Sequence, residues 1–175
     1  MFKNQFNETP LHYAAKAGDA EVVRALIDAG ENVNAQNNCG GTPLHSATVF
    51  GHSDVVRILI EAGADVNARD AEQQKPLYYA MQYQSIRDDI MILLLQHQTL
   101  TEDDLAEINI FLTSQQECSE EIRVILQLTM KLYEAKDEID WIDHFDNLFN
   151  KEALIALKNS SEFDPRKRYC SHAMR

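Results

Sequence analysis

The chain's acid–base and nucleophilic side chains set the first question, because their spacing decides whether they act together. The segment Asp140-Trp141-Ile142-Asp143-His144-Phe145-Asp146 holds a carboxylate and an imidazole four residues apart. On a helix Asp140 and His144 would lie one turn apart. Such a pair can bind a metal ion or form an acid–base couple. The same residues also read as a solvated polar face opposite Trp141, Ile142 and Phe145. Cys118 or Cys170 paired with His144 would make a thiol nucleophile and its base. Neither cysteine has a flanking motif, so both read as plain thiols. No Gly-rich phosphate loop, GxSxG elbow or HExxH run is present. The sequence therefore assigns no catalytic residue, no cofactor and no metal. An enzyme with its active site in residues 101–160 is the competing reading.

Composition narrows the classes further. The chain has 175 residues, 45% hydrophobic and 25% charged, which suits a soluble globular protein with a real core. Its net charge is -12, and an acidic surface repels phosphate backbones and anionic membranes. No nucleic acid and no membrane partner is expected. No apolar run approaches the ~20 residues of a membrane span, and the MFKNQFNETP start lacks a signal-peptide core. Cys39, Cys118 and Cys170 are odd in number and far apart, so neither disulfides nor a zinc site is indicated. A reduced, cytoplasmic monomer is the expectation. Residues 1–100 carry a net -5, residues 101–163 a net -10 and residues 164–175 a net +3.

The elements that position these residues follow from an internal repeat. Thr9-Pro10-Leu11-His12 recurs 33 residues later as Thr42-Pro43-Leu44-His45. The same shift carries Ala14 to Ala47, Gly18 to Gly51, Val22-Val23 to Val55-Val56, Leu26 to Leu59, Gly30 to Gly63 and Val33-Asn34-Ala35 to Val66-Asn67-Ala68. A weaker third copy has Pro76, Leu77, Tyr78 and Ala80, and then Ile90, Leu93 and Leu94 after a one-residue insertion. Each unit reads as turn, helix, helix, loop. Thr9 and Thr42 are N-caps with proline in the first helical position. The first helix ends at Gly18 or Gly51. The second starts near Asp19 or His52, has apolar residues at helical spacing, and ends at Gly30 or Gly63 in a left-handed cap. One unit cannot bury its own apolar face, so the units must stack.

TPLHYAAKAGDAEVVRALIDAGENVNA and TPLHSATVFGHSDVVRILIEAGADVNA resemble the ankyrin repeat almost position by position. The resemblance covers roughly residues 4–100, as repeats at about 4–36, 37–69 and 70–100. It implies an all-α fold, an ankyrin-repeat solenoid of helix–turn–helix repeats with β-turn loops, capped by a C-terminal helical region. It also implies that the rings of His12 and His45 hydrogen-bond the loop between repeats, and that Asn34 and Asn67 shape the turn between them. Similar ankyrin asparagines are hydroxylated by a cytosolic dioxygenase in metazoan cells, which makes these two candidate substrates. His52 reads as a helix cap. Repeat three departs from the pattern. Lys75 replaces the capping Thr, Gln73 the turn Gly, Tyr78 the His, and Gln84 and His97 the helix-ending glycines. These changes are expected to weaken its turn geometry but not its apolar pattern.

Residues 101–160 form the acidic helical region, read as a divergent fourth repeat plus cap. Helices are expected from Thr101, from Ser119, from about Asp137 and from about Asn150. Residues 161–175 form a flexible basic tail containing Arg166, Lys167 and Arg168. Cys170 is not the fourth residue from the end, so prenylation is not indicated. No ubiquitin-ligase adaptor box is recognisable.

Function follows from the resemblance. Ankyrin arrays bind proteins on a concave face of turn tips and exposed first-helix residues. The turn tips map to Gln5, Phe6 and Glu8, then Asn38, Cys39 and Gly41, then Ala71, Glu72 and Gln74. The late first-helix positions map to Lys16 and Ala17, Val49 and Phe50, and Gln82 and Tyr83. The residues expected to touch a protein partner are Phe6, Lys16, Asn38, Val49, Phe50, Glu72, Gln82 and Tyr83. Phe50 and Tyr83, with Phe6 and Val49, are expected to form an exposed apolar ridge with a polar rim. The chain reads as a protein–protein interaction module of adaptor, inhibitor or secreted-effector type, the last placing it in a host cytosol.

Overall fold

The computed structural model describes residues 4–82, 88–98, 100–114 and 119–134. Among the described residues there are eight helices and no strand. They are α1 (Pro10–Ala17), α2 (Ala20–Asp28), α3 (Pro43–Val49), α4 (Ser53–Glu61), α5 (Pro76–Gln82), α6 (Asp88–His97), α7 (Glu102–Thr113) and α8 (Glu120–Glu134). The chain divides into two compact units, Met1–Cys118 and Ser119–Arg175. The helices expected from Asp137 and Asn150, the Asp140–His144 pair, Cys118, Cys170 and the basic tail lie outside the described residues.

The first unit is built as two helical layers. α1, α3 and α5 stack in one, and α2, α4 and α6 in the other. Each pair is joined through its own apolar face: Leu11, Leu44 and Leu77 point inward from the first helices, Val23, Leu59 and Leu94 from the second. Ala14, Ala15 and Ala47 are buried where neighbouring backbones approach. The third copy stacks as the first two do, although its turn and cap residues differ, because its apolar positions are kept.

Local signals set the helix ends. Gly18 ends α1 at φ 76°, and Gly30 and Gly63 follow α2 and α4 at φ 84° and 85°. Asp19 caps α2 by accepting from Val22 N–H at 3.1 Å. Thr101 caps α7 by accepting from Asp104 N–H, and Asp104 accepts back from Thr101 N–H at 2.7 Å. Ser119 accepts from Ile122 N–H at 3.2 Å and so starts α8, whose apolar stripe runs through Ile122, Ile125 and Leu126.

The equivalent leucines of α2 and α4 differ in burial. Leu59 is fully buried, but its equivalent Leu26 is only half-buried. The stripe Val22, Ala25, Leu26 and Ala29 on α2 is equivalent to Val55, Ile58, Leu59 and Ala62 on α4, and among the described helices α2 packs on α1 and α4 where α4 packs on α2, α3 and α6. Val22 is accordingly 44% exposed where Val55 is 0%.

Candidate functional site

The turn tips are tied to one another before any side chain is considered. Asn4, Asn37 and Asp70, each 33 residues apart, fold three equivalent turns. Asn4 Oδ1 accepts from Phe6 and Glu8 N–H, Asn37 Oδ1 from Cys39 and Gly41 N–H, and Asp70 Oδ1 from Glu72 and Gln74 N–H. Each tip then bonds to the next. Asn38 N–H donates to Phe6 O at 2.9 Å and Ala71 N–H to Cys39 O at 2.9 Å. Sequence reasoning missed this role, although the 33-residue spacing of Asn4, Asn37 and Asp70 signals it.

The turns need a left-handed residue, which is Asn7, Gly40 and Gln73 in succession, at φ 61°, 72° and 65°. Gly40 has a second reason to be glycine: a Cβ there would lie 2.8 Å from Ala71 N. The expected weakening of the third turn is thus not seen as a change of shape. Gln73 adopts the strained conformation, held by the Asp70 carboxylate and by Tyr79 O–H, which donates to Asp70 Oδ2.

The motif histidines latch repeat to repeat. His12 Nε2 lies 3.0 Å from Gly41 O, and His45 Nε2 lies 3.2 Å from Gln74 O. Thr9 and Thr42 N–H donate to the Nδ1 atoms at 3.2 Å. Nδ1 is therefore the acceptor, and the ring proton sits on Nε2, facing the carbonyl. Burial holds His45 below the usual histidine range, against the smaller opposing pull of the Gln74 bond and Asp70. Asn34 also bridges repeats: its Nδ2 donates to Gly63 O at 3.1 Å and its Oδ1 accepts from Asp65 N–H at 2.8 Å.

The third unit has a different latch. Lys75 stands where Thr9 and Thr42 stand, and its ammonium reaches Asp104 of α7 at 2.6 Å. Both side chains are 6% exposed. Burial alone would raise the Asp104 pKa, but the Lys75 and Thr101 hydrogen bonds outweigh it and hold the carboxyl below the usual range. Thr101 and Asp104 together repeat the Thr-x-x-His box with Asp in place of His.

The residues expected to touch a partner fall into recognisable places. Phe6 is 57% and Phe50 50% exposed. Lys16, Asn38, Glu72 and Gln82 are exposed, and Val49 is half-buried. Tyr83 lies outside the described residues, so the paired Phe50 and Tyr83 reduce to Phe50. The structure joins Lys16 to Phe50 across the first repeat boundary, with the ammonium 5.3 Å from the ring centroid. Phe6 and Asn38 meet at the tips through backbone bonds. His52 is the N-cap residue of α4, as its place after Gly51 predicts. The ring itself makes no cap bond. Its Nε2 lies 3.1 Å from Lys16 O and its plane lies parallel to Phe50. The ring sits over Gly18, where a Cβ would come within 2.5 Å of Nδ1. A shallow polar notch lined by Gly18, Gly51, His52, Ser53, Asp54 and Val55 opens beside it.

A two-layer stack of helix pairs, latched by a Thr-x-x-His box and by turn tips bonded in series, defines a class of protein. Residues 1–70 match the family model of ankyrin repeats (3 copies). Those residues carry ankyrin repeats, and the helix pairs α1 to α6 of the first unit stack as an all-α ankyrin solenoid. The third helix pair, α5 and α6, packs in the same way beyond the matched segment. No curated protein matches the sequence. Ankyrin repeats are in general protein–protein interaction modules. No described helix is long and apolar enough to cross a membrane, and no described group of His, Cys, Asp or Glu could hold a metal ion.

Proposed function

We propose that this chain is a binding protein that engages a protein partner through the turn tips and the outer side of α1, α3 and α5. It acts as an adaptor, an inhibitor or a secreted effector in the cytoplasm, and does no catalysis of its own. The observation that carries this reading is the exposure of Phe50 and Phe6 on a rigid frame. Each is at least half exposed, while the backbone around it is fixed by caps and tip-to-tip bonds. Large exposed aromatics on a preorganised surface are the anchors of protein interfaces. Lys16, Asn38, Val49, Glu72, Gln82 and Tyr83 complete the proposed surface. The Thr101–Asp104 box supports reading α7 as the start of a divergent fourth unit that ends the array.

The test is capture of partners by immobilised full chain, wild type beside Phe6→Ala/Phe50→Ala. The variant should lose the bound proteins and keep its melting temperature, because both rings are largely in water. Unchanged capture by a folded variant would sink the proposal.

A further inference from the structure

We infer that the Lys16–Phe50–His52 cluster reads a peptide segment carrying a single carboxylate beside an aromatic or aliphatic side chain. The inference rests on the proposed binding face and names the chemistry of its partner. Charge on this unit is sorted by layer. α2 carries Glu21, Arg24 and Asp28, α4 carries Asp54, Arg57 and Glu61, and α6 carries Asp88 and Asp89. In α1, α3 and α5 the one formally charged side chain is Lys16.

Among the described residues, Lys75 and Arg69 near this layer are already engaged. Lys75 is buried against Asp104, and Arg69 donates to Gln73 O and faces Asp103 at 4.0 Å. Among the described residues no carboxylate lies within ion-pair distance of Lys16. Its ammonium rests over the Phe50 ring, and its own carbonyl holds the His52 ring parallel to that ring. An exposed cation–π contact is weak, worth about as much as a good surface ion pair, so the ammonium can turn to a carboxylate without large cost.

A partner that supplies one carboxylate to Lys16 and one apolar side chain to the Phe50–His52 platform satisfies both groups at once. The acidic second layer sets the limit on charge. One helix diameter is close to the screening length at physiological salt, so a run of acids would still feel α2 and α4, whereas a single carboxylate beside Lys16 would not be repelled strongly. A basic segment would meet Lys16 directly.

The test uses random dodecamer peptides displayed on phage, panned against the full chain as wild type, Lys16→Glu and Phe50→Ala. Wild type should enrich peptides with one Asp or Glu within two residues of Trp, Phe or Leu. Lys16→Glu should enrich Lys or Arg at that place, and Phe50→Ala should enrich neither. A synthetic peptide from the wild-type set should bind Lys16→Ala about threefold to fivefold more weakly, with the loss shrinking at high salt. If selected peptides need Phe50 but have the same charge on wild type and Lys16→Glu, the inference fails and the binding face stands. Peptides indifferent to Phe50→Ala, or no enrichment on wild type, overturn both.

Discussion

Replacing Lys75 by Thr sets two physical arguments against each other. Lys75 precedes Pro76 as Thr9 precedes Pro10 and Thr42 precedes Pro43. Restoring the repeat pattern with Thr would give α5 a side-chain N-cap, a gain of about 0.5–2 kcal/mol. The same change strips Asp104 of the ammonium that meets it at 2.6 Å, with both side chains nearly sealed from water. Removing one partner of a buried pair costs about 3–5 kcal/mol, because the remaining charge stays desolvated. Asp104 keeps its bonds from Thr101 N–H and O–H, which places the loss toward the lower end of that range.

The net expectation is a loss of about 1–4.5 kcal/mol, the difference of the two magnitudes, in the lower part of that range. Lys75→Thr with Asp104→Asn should recover most of it, since the amide needs no cation and its oxygen still accepts from Thr101. Urea denaturation followed by circular dichroism at 222 nm measures this as a lower midpoint at unchanged slope. The single variant should also lose its deficit below the usual carboxylate range. Asp104 has a lowered pKa in the fold, so its contribution is present above about 3.8 and disappears as pH falls through the folded value. A Lys75→Thr protein as stable as wild type, or more so, would refute the reasoning and make the repeat pattern the better guide.

Three further outcomes are expected. Gln73→Gly should raise stability by about 0.5–1 kcal/mol, measured by the same titration, because it relieves a left-handed residue that glycine tolerates. Leu59→Ala should cost about 2–5 kcal/mol through the cavity it leaves, and Leu26→Ala clearly less because that side chain is half-buried; equal losses would mean that the open side of α2 is covered in solution. His45 should make stability fall with acid. Its pKa is lowered in the fold, so the benefit of a neutral ring is complete above about 6.5 and is lost as pH drops below that toward the folded value, a dependence that His45→Gln should reduce in a thermal-melt series from pH 8 to 5.

Most of the fold was legible because the residues that set it act locally and recur. The Thr-Pro pairs, Gly18, Gly30 and Gly63 mark helix ends by backbone chemistry that does not depend on neighbours. The alternating apolar positions mark the faces. What was not legible depends on contacts across repeats. Nothing local says that the ring of the N-cap residue His52 will reach Lys16 O; Gly18 leaves the room for it. Nothing local says that Lys75 is paired, because its partner lies 29 residues away on α7. Leu26 and Leu59 sit in closely similar contexts, VVRALIDAG and VVRILIEAG, yet only Leu59 is fully buried. The exposed placement of Phe50 was readable from position, whereas its contact with Lys16 required the stack.

The third unit shows how an array tolerates loss of its own signature. Repeat proteins draw stability from each unit and from the interfaces between neighbours. In the first two units the interface latch is a neutral imidazole reaching a backbone carbonyl, 29 residues ahead in each case. The third latch spans the same 29 residues but is an ammonium on a carboxylate. The swap removes Thr and His together, since Lys75 takes the Thr position and Tyr78 the His position. The neutral latch accepts any following turn that offers a carbonyl. The charged latch demands a carboxylate at one place, and only a helix that begins like α7, with Asp104 held by Thr101, provides it. Specificity for a particular neighbour is thereby built into the third interface, and a generic repeat placed after α6 would leave Lys75 buried without its counter-charge.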